Sequence, residues 1–428
     1  MNFLRNLVST GRGRAILAAV VVVVVLIAVG AFAALRDNPH SSWAGPQTEV
    51  TAPLDSLAVQ PAGRWTLMPE PGVNVVGPVG GDAERVLYAA KVTDGPLRLL
   101  VVNAETGERQ HAVDLAAEST APECWVRGDA ALCAVAAPVP ELLFLDLAAG
   151  SITARTDVAP TGTGFHGYPV GEGFLVWSDT AAPALYRPDG SVKWQAQGSA
   201  FMVSPAAPVV YALDLADQKG RVLSADDGHL LVEIAVLGDQ PVRFQAFAGG
   251  FALERPGDQI RFFAVDGQPM SGAVSAAGGQ RLAAAVDVGR SAVTSVPVLL
   301  ETRDSGVTVV AADPGNKENL WKQQVPQADP EKIRIAGVGT QVVIDDGANH
   351  CFAFSAATGD GGAIGCGQLL GTDGQRILIA TPSPHQTLLP ESDLAAFSPG
   401  DTIALWSTPV RSAAVFGGGI YGVDGRLR

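Results

Sequence analysis

The chain has 428 residues, 47% of them apolar, with 49 Gly, 29 Pro and a net charge of −14. That mix suits many short strands and tight turns better than helices, and the acidity excludes nucleic acid as a partner. Charge is unevenly placed: the first 36 residues hold four Arg and no acid, so 25 of the 29 basic residues and all 43 acids follow, a net of −18.

Residues 1–14 form a short basic tail with Arg5, Arg12 and Arg14. Ala15 to Leu35 then runs 21 residues without a charge or strong polar group. At about 1.5 Å per residue such a helix crosses the ~30 Å hydrocarbon core of a bilayer. The positive-inside rule keeps the tail cytoplasmic and places everything after Leu35 outside. The expected location is therefore the cell membrane, single-pass, with the bulk of the chain extracytoplasmic. A cleaved signal peptide is the alternative, with Ala31-Phe32-Ala33 as a weak cleavage box. Secretory apolar regions usually run ~7–15 residues, which favours a retained anchor. Residues 36–60 are polar and proline-dotted and read as an extracytoplasmic linker.

From residue 61 to 428 one pattern repeats: a short apolar strand runs into a polar turn that ends on glycine. It is clearest at Leu97-Arg98-Leu99-Leu100-Val101-Val102-Asn103-Ala104-Glu105-Thr106-Gly107 and returns before Gly150, Gly190, Gly228, Gly267, Gly315, Gly359 and Gly400. The spacings are 43, 40, 38, 39, 48, 44 and 41 residues. A period near 40 built from short strands is the signature of a β-propeller.

Each repeat divides into four strands. In the first they run from Val73 to Val76, from Arg85 to Ala90, through Leu99 and Val101, and from Arg109 to Leu115. The sixth repeat is the longest, because Ala273 to Val296 carries an insertion or a poorly formed first strand. The eighth contains a proline-rich loop from Pro382 to Pro390. Two ends remain: Gly63-Arg64-Trp65-Thr66, which reads as the end of a repeat 44 residues before Gly107, and Ala413 to Gly425, which reads as two further strands. Pairing these ends in one composite blade closes the ring and leaves no open sheet edge. Eight repeats plus a composite blade make nine, an unusual number. Treating the sixth or eighth as misread gives an all-β, eight-bladed propeller of four-stranded antiparallel blades, with seven as the alternative, plus one N-terminal transmembrane helix.

Four cysteines fall into two close pairs. Cys124 and Cys133 flank a hairpin that turns at Arg127-Gly128-Asp129, and Cys351 and Cys366 flank the turn at Thr358-Gly359. An even count in an exported domain favours disulfides within each pair. Zinc would want CxxC spacing or nearby His, and only His350 adjoins a cysteine. Arg127-Gly128-Asp129 reads as a turn rather than an adhesion motif.

No chemistry-bearing motif emerges. The six His, at 40, 111, 166, 229, 350 and 385, show no metal-ligand spacing. There is no Gly-x-Ser-x-Gly elbow. Gly417-Gly418-Gly419 lacks the lysine and helix of an anion-cradling loop and reads as a turn. Asp345-Asp346-Gly347-Ala348-Asn349 has the oxygen-rich look of a calcium loop but lacks its bidentate Glu, and reads as a β-turn.

Ala104-Glu105-Thr106-Gly107, Ala356-Ala357-Thr358-Gly359 and the Gly190-to-Trp194 spacing resemble the repeats of pyrroloquinoline-quinone-type propellers, over roughly residues 60–428. In that superfamily each blade ends in an Asp-Ala-x-Thr-Gly turn followed by an outer-strand Trp that docks on the next blade. The resemblance implies blade-docking roles for Trp194, Trp321 and Trp406 and for Gly107, Gly190 and Gly359. Trp321 and Trp406 stand two residues further from their glycines than Trp194 does. The superfamily holds quinoprotein dehydrogenases and non-catalytic members, among them an outer-membrane assembly lipoprotein of Gram-negative bacteria. The dehydrogenases bind calcium through acid and Asn ligands, use a catalytic Asp and often carry a vicinal Cys-Cys ring. This chain has no adjacent cysteines and no evident Trp-rich cofactor floor. Its Ala- and Val-rich composition looks like that of an actinobacterial envelope protein. The expectation is a non-catalytic docking or scaffold propeller for an unidentified envelope or membrane protein, without cofactor. The alternative is a dehydrogenase that uses pyrroloquinoline quinone and calcium.

Overall fold

The computed structural model describes residues 54–428, less 69, 116–120, 136–139, 159–164, 179–180, 199, 205–206, 237–241, 256–258, 271, 276–278, 284–294, 304–305, 317, 327, 331, 383–390, 424 and 428. The chain divides into two units, 1–44 and 45–428, and every described residue belongs to the second. The expected tail and membrane helix, and the linker as far as residue 53, lie outside the described residues. Within them, no helix is long and apolar enough to cross a membrane.

The described chain folds into nine four-stranded antiparallel sheets. Eight are consecutive meanders. The first blade comprises Val73–Gly81, Arg85–Val92, Leu97–Asn103 and Arg109–Asp114. The eighth comprises Gln368–Thr372, Ile377–Pro382, Glu391–Phe397 and Trp406–Arg411. The ninth is composite: the N-terminal strand Gly63–Thr66 pairs with Gly425–Leu427, which continues to Gly419–Gly422 and Ala414–Phe416. The expected closure is therefore present, whereas the expected eight blades, or seven, are corrected to nine. The sixth repeat was not misread. Val274–Ser275 is the outer strand of the fifth blade, and Gln280–Leu282 is the inner strand of the sixth. The 15 residues between Leu282 and Val298 join the inner two strands of a complete blade.

Strand position dictates composition. The second strand of a blade is covered on both faces by neighbouring blades, so its apolar run is continuous: Val86 to Ala90 are all fully buried. Outer strands have one solvated face and alternate, as Ser151–Asp157 does between exposed and half-buried. Cores form between blades. Leu87, Leu99 and Val101 pack with Leu143 and Leu145 of the second blade. Tyr211 and Val222 of the fourth pack with Phe244 and Phe251 of the fifth. Val86 and Tyr88 of the first pack with Phe416 and Tyr421 of the closing blade.

The meander creates two faces. Turns between inner and second strands and between third and outer strands share one face, called here the turn face. Connections between second and third strands and from one blade to the next share the opposite loop face.

The closing blade is held at one acceptor. The Ala104 carbonyl of the first blade receives the Trp65 indole N–H at 3.1 Å and the Arg426 guanidinium at 3.0 Å, so both chain ends grip the same oxygen. Two residues of the expected linker touch the propeller. Leu54 and Leu57 are buried against the eighth and closing blades. Burial alone would raise the Asp373 carboxyl, but N–H donors from Leu57, Gln375 and Arg376 hold its pKa below the ordinary range. Its contribution to stability is therefore present above the usual carboxylate pKa and lost on acidification.

Cys124 pairs with Cys133 and Cys351 with Cys366. The first bridge joins directly opposed residues of adjacent strands, and the second ties the third strand of the seventh blade to the connection into the eighth. Replacing both cysteines of either pair with Ala is expected to cost about 3 kcal/mol, from the chain entropy of loops of this length. Denaturant unfolding of the two double variants checks this.

Candidate functional site

In several blades an outer-strand residue that follows the marker glycine packs on the turn of the next blade. Trp194 donates its indole N–H to the Ala225 carbonyl at 3.0 Å, and its ring covers Gly228. Trp321 does the same to Ala356 at 2.8 Å and covers Gly359, despite the two extra residues in its turn. Trp65 covers Gly107. Tryptophan thus stands at the third, sixth and closing blades, three blades apart. At the first and second blades the place is taken by smaller groups, His111 against Gly150 and Ala154 against Gly190, whereas Gly267 is approached by the bulge residue Leu231, chiefly through its backbone oxygen. Trp406 has another partner. Its indole donates to the Leu57 carbonyl at 2.7 Å, so it holds the N-terminal segment.

These glycines are required by conformation and by space. Gly107, Gly190 and Gly359 have φ of 75°, 83° and 75°, in the left-handed region. Around Gly107 the turn is closed by the Asn103 side chain, whose Oδ1 accepts from the backbone N–H groups of Glu105 and Thr106, both at 2.9 Å. The turn face is consumed by such internal bonds. Arg127-Gly128-Asp129 is a turn tied to the first blade: Arg85 donates to the Gly128 carbonyl and pairs with Asp129, both at 2.7 Å. Gly417-Gly418-Gly419 turns against Asp82 and Ala83.

Two clefts open on the loop face. A cleft of about 520 Å³ lies between the seventh and eighth blades. Its rim holds Arg334, Asp345 and Asn349, its wall the Cys351–Cys366 bridge, and its apolar lining includes Ile335, Val343 and Leu369. Asp345 and Asp346 do not form a cation loop. Asp345 Oδ1 accepts from Gly347 N–H, while Asp346 Oδ1 accepts from Ala348 and His350 N–H and its Oδ2 lies 2.7 Å from the His350 ring. A second cleft of about 310 Å³ sits between the eighth and closing blades, lined by Trp65, Pro409, Arg411 and Arg426 among others. Near the loop-face end of the third blade, Trp177 packs against His166 and Tyr168, with centroids 5.6 and 6.0 Å away. Among the described residues no group of three or more His, Cys, Asp or Glu is placed to hold a metal ion.

Sequence reasoning missed a polar joint between the fifth and sixth blades. Buried Gln245 donates to the Ala283 and Val298 carbonyls, both at 3.0 Å, and accepts from Val298 N–H at 2.8 Å. Glu254, only 4% exposed, accepts from Leu282 N–H at 2.5 Å and lies 3.5 Å from Arg243. Burial pushes its pKa up, against the opposing pull of the Leu282 N–H and the nearby arginines. A raised carboxyl pKa makes folding bind a proton, so stability falls as pH rises from the ordinary carboxylate value toward the folded one. Glu254→Gln is expected to remove that loss and to stabilise the protein more at neutral pH than near pH 4, the ordinary glutamate range. Melting temperatures of both proteins across that interval test it.

No protein-family model matches the sequence, and no curated protein matches it. Among solved structures, the chain is similar to BamB from Moraxella catarrhalis, with 13% identity over 74% of this chain and 96% of that one and a TM-score of 0.39. It is also similar to KlHsv2 with loop 6CD replaced by a Gly-Ser linker, with 11% identity over 66% and 93% and a TM-score of 0.35. Likeness at this level carries no argument about this chain, whose propeller fold rests on its own strand pairing.

Proposed function

We propose that this protein is a membrane-anchored, extracytoplasmic docking platform for an envelope or membrane protein, working without catalysis or cofactor. The observation that carries the reading is the division of labour between the faces. The turn face is bound up in its own hydrogen bonds and in tryptophan locks, whereas the loop face holds both clefts and the blade-to-blade connections. Loops on a rigid ring change without disturbing the blades, which is what a docking surface needs. The apolar stretch from Ala15 to Leu35, with arginines before it, supports the anchor.

The test is photo-crosslinking in native membranes from exposed positions on each face, Met68 and Leu215 on the loop face and Val265 on the turn face. The expected result is one discrete adduct from the loop-face probes and none from Val265. Adducts from Val265 alone, or none anywhere, overturn the reading. Dye reduction by the purified chain on addition of pyrroloquinoline quinone and calcium replaces it with the dehydrogenase.

A further inference from the structure

The two disulfides differ in access. Cys124 and Cys133 are fully buried, opposite each other on the inner two strands of the second blade. Cys351 is 8% exposed and Cys366 half-buried, and both line the cleft of about 520 Å³ between the seventh and eighth blades. Cys366 lies in the connection between those blades, where Gly365 packs on Phe397 and Gly367 on the Ala380 carbonyl of the eighth. A row of charge leads to this bridge. Arg334, Asp345 and Cys351 stand directly opposite one another on the inner, second and third strands of the seventh blade. Opposed residues of antiparallel strands share a face, and neighbouring strands lie about 4.8 Å apart. All three residues line the cleft, with Arg334 exposed. Asp345 Oδ1 accepts from Gly347 N–H at 2.8 Å, and among the described residues no ion pair joins it to Arg334.

We propose that the Cys351–Cys366 bridge is a thiol-exchange site for a small thiol of the cysteine type, with the ligand's carboxylate on Arg334 and its ammonium on Asp345. The incoming thiolate attacks the sulfur of Cys366, the more open of the two residues. A bond forms between that sulfur and the ligand sulfur as the Cys351–Cys366 bond breaks. The electron pair leaves with Cys351 Sγ, which takes up a proton from water. One disulfide replaces another, so no oxidant or reductant is consumed. Access decides which bridge reacts. The two loops, with separations of 9 and 15 residues, differ little in closure entropy. The Cys124–Cys133 bridge, however, lies in the core between the first and second blades and is reached only when they part. Exposed disulfides are the labile and regulatory ones. Exchange releases the third strand of the seventh blade from the connection into the eighth and loosens one wall of the cleft. It needs no docked protein, so it stands or falls apart from the docking platform.

The experiment uses the folded full chain, whose four cysteines are all in disulfides. It is incubated with cysteine in the absence of denaturant, trapped with N-ethylmaleimide and mapped by mass spectrometry. The expected result is cysteine joined to Cys366 and maleimide on Cys351, formed at least about tenfold faster than any opening of Cys124–Cys133. Equal rates at the two bridges, or no reaction until denaturant is added, overturn the proposal. Recognition is tested by competing thiols at equal thiolate concentration. Cysteamine lacks the carboxylate and N-acetylcysteine the ammonium, and each is expected to react about threefold or more slower than cysteine. If cysteamine reacts as fast as cysteine, the assignment to Arg334 fails; if N-acetylcysteine does, the assignment to Asp345 fails. Arg334→Gln, at an exposed position, is expected to slow cysteine to the cysteamine rate while leaving cysteamine and the melting temperature unchanged. An unchanged cysteine rate in that variant also overturns the role of Arg334.

Discussion

Removing the last ten residues, Gly419 to Arg428, is expected to abolish the folded monomer. The cut takes two of the four strands of the closing blade, Gly419–Gly422 and Gly425–Leu427. Gly63–Thr66 then has no partner, because its only pairing is to the strand that carries Arg426. Buried Ile420 and Tyr421 are lost, and with them the surface against which Phe416 and the first blade pack. The ring opens between the eighth and first blades and exposes unpaired edges on both sides, which invites aggregation. Since a domain's net stability is about 5–15 kcal/mol, loss of a whole joint exceeds it. Size-exclusion chromatography and far-ultraviolet dichroism of the truncated chain test this. A soluble monomer melting within a few degrees of the intact protein would sink the closure argument. The graded version is Trp65→Ala, which removes one grip on the Ala104 carbonyl and is expected to cost about 3 kcal/mol.

The repeats were legible in the sequence because two physical demands recur in every blade. The second strand is buried on both faces and apolar nearly throughout, and the turn after the third strand needs a residue that accepts positive φ. Seven of the eight marker glycines adopt it, the exception being Gly315, whose turn is longer and closed by Asp313. The same rule explains the miscount. A marker glycine follows the third strand of a continuous blade, but in the closing blade the third and outer strands come from opposite ends of the chain, so no such turn exists. Eight markers therefore mean nine blades, and rarity is no physical reason to discard one. The candidate docking face was much less legible. The Gln245 joint links a side chain to backbone 38 and 53 residues away, and Trp406 meets Leu57 across 349 residues. No local period reports such partners. For the same reason residues 54–60 read as linker: Leu54 and Leu57 are too few to show a pattern, and only the fold supplies the surface that buries them.

Gly359→Ala is expected to destabilise the protein by about 3 kcal/mol, and much of that cost should vanish when Trp321 is also shortened. Two separable penalties meet at Gly359. Its φ of 75° costs an L-residue about 1–2 kcal/mol wherever it occurs. In addition, a Cβ there would stand 2.7 Å from Trp321 Cγ, and overpacking of this kind costs about 1–3 kcal/mol. Trp321 has little room to yield, because its indole N–H is bonded to the Ala356 carbonyl and its ring packs on Phe354. Trp321→Ala alone is expected to cost about 3–5 kcal/mol through the cavity it leaves. In the double variant the clash is gone, so the sum of the single costs should exceed the measured cost by the overpacking part. Gly128→Ala supplies the control, since Gly128 also has positive φ, 56°, but nothing lies within 4 Å of its added Cβ. It should lose only the conformational penalty. Equal losses at 128 and 359, or strict additivity at 359 and 321, would mean that the tryptophan on the glycine does not set the spacing between blades. The degeneracy of the repeats would then need another explanation than the series of Trp, His and Ala that fills that one position in five of the blades.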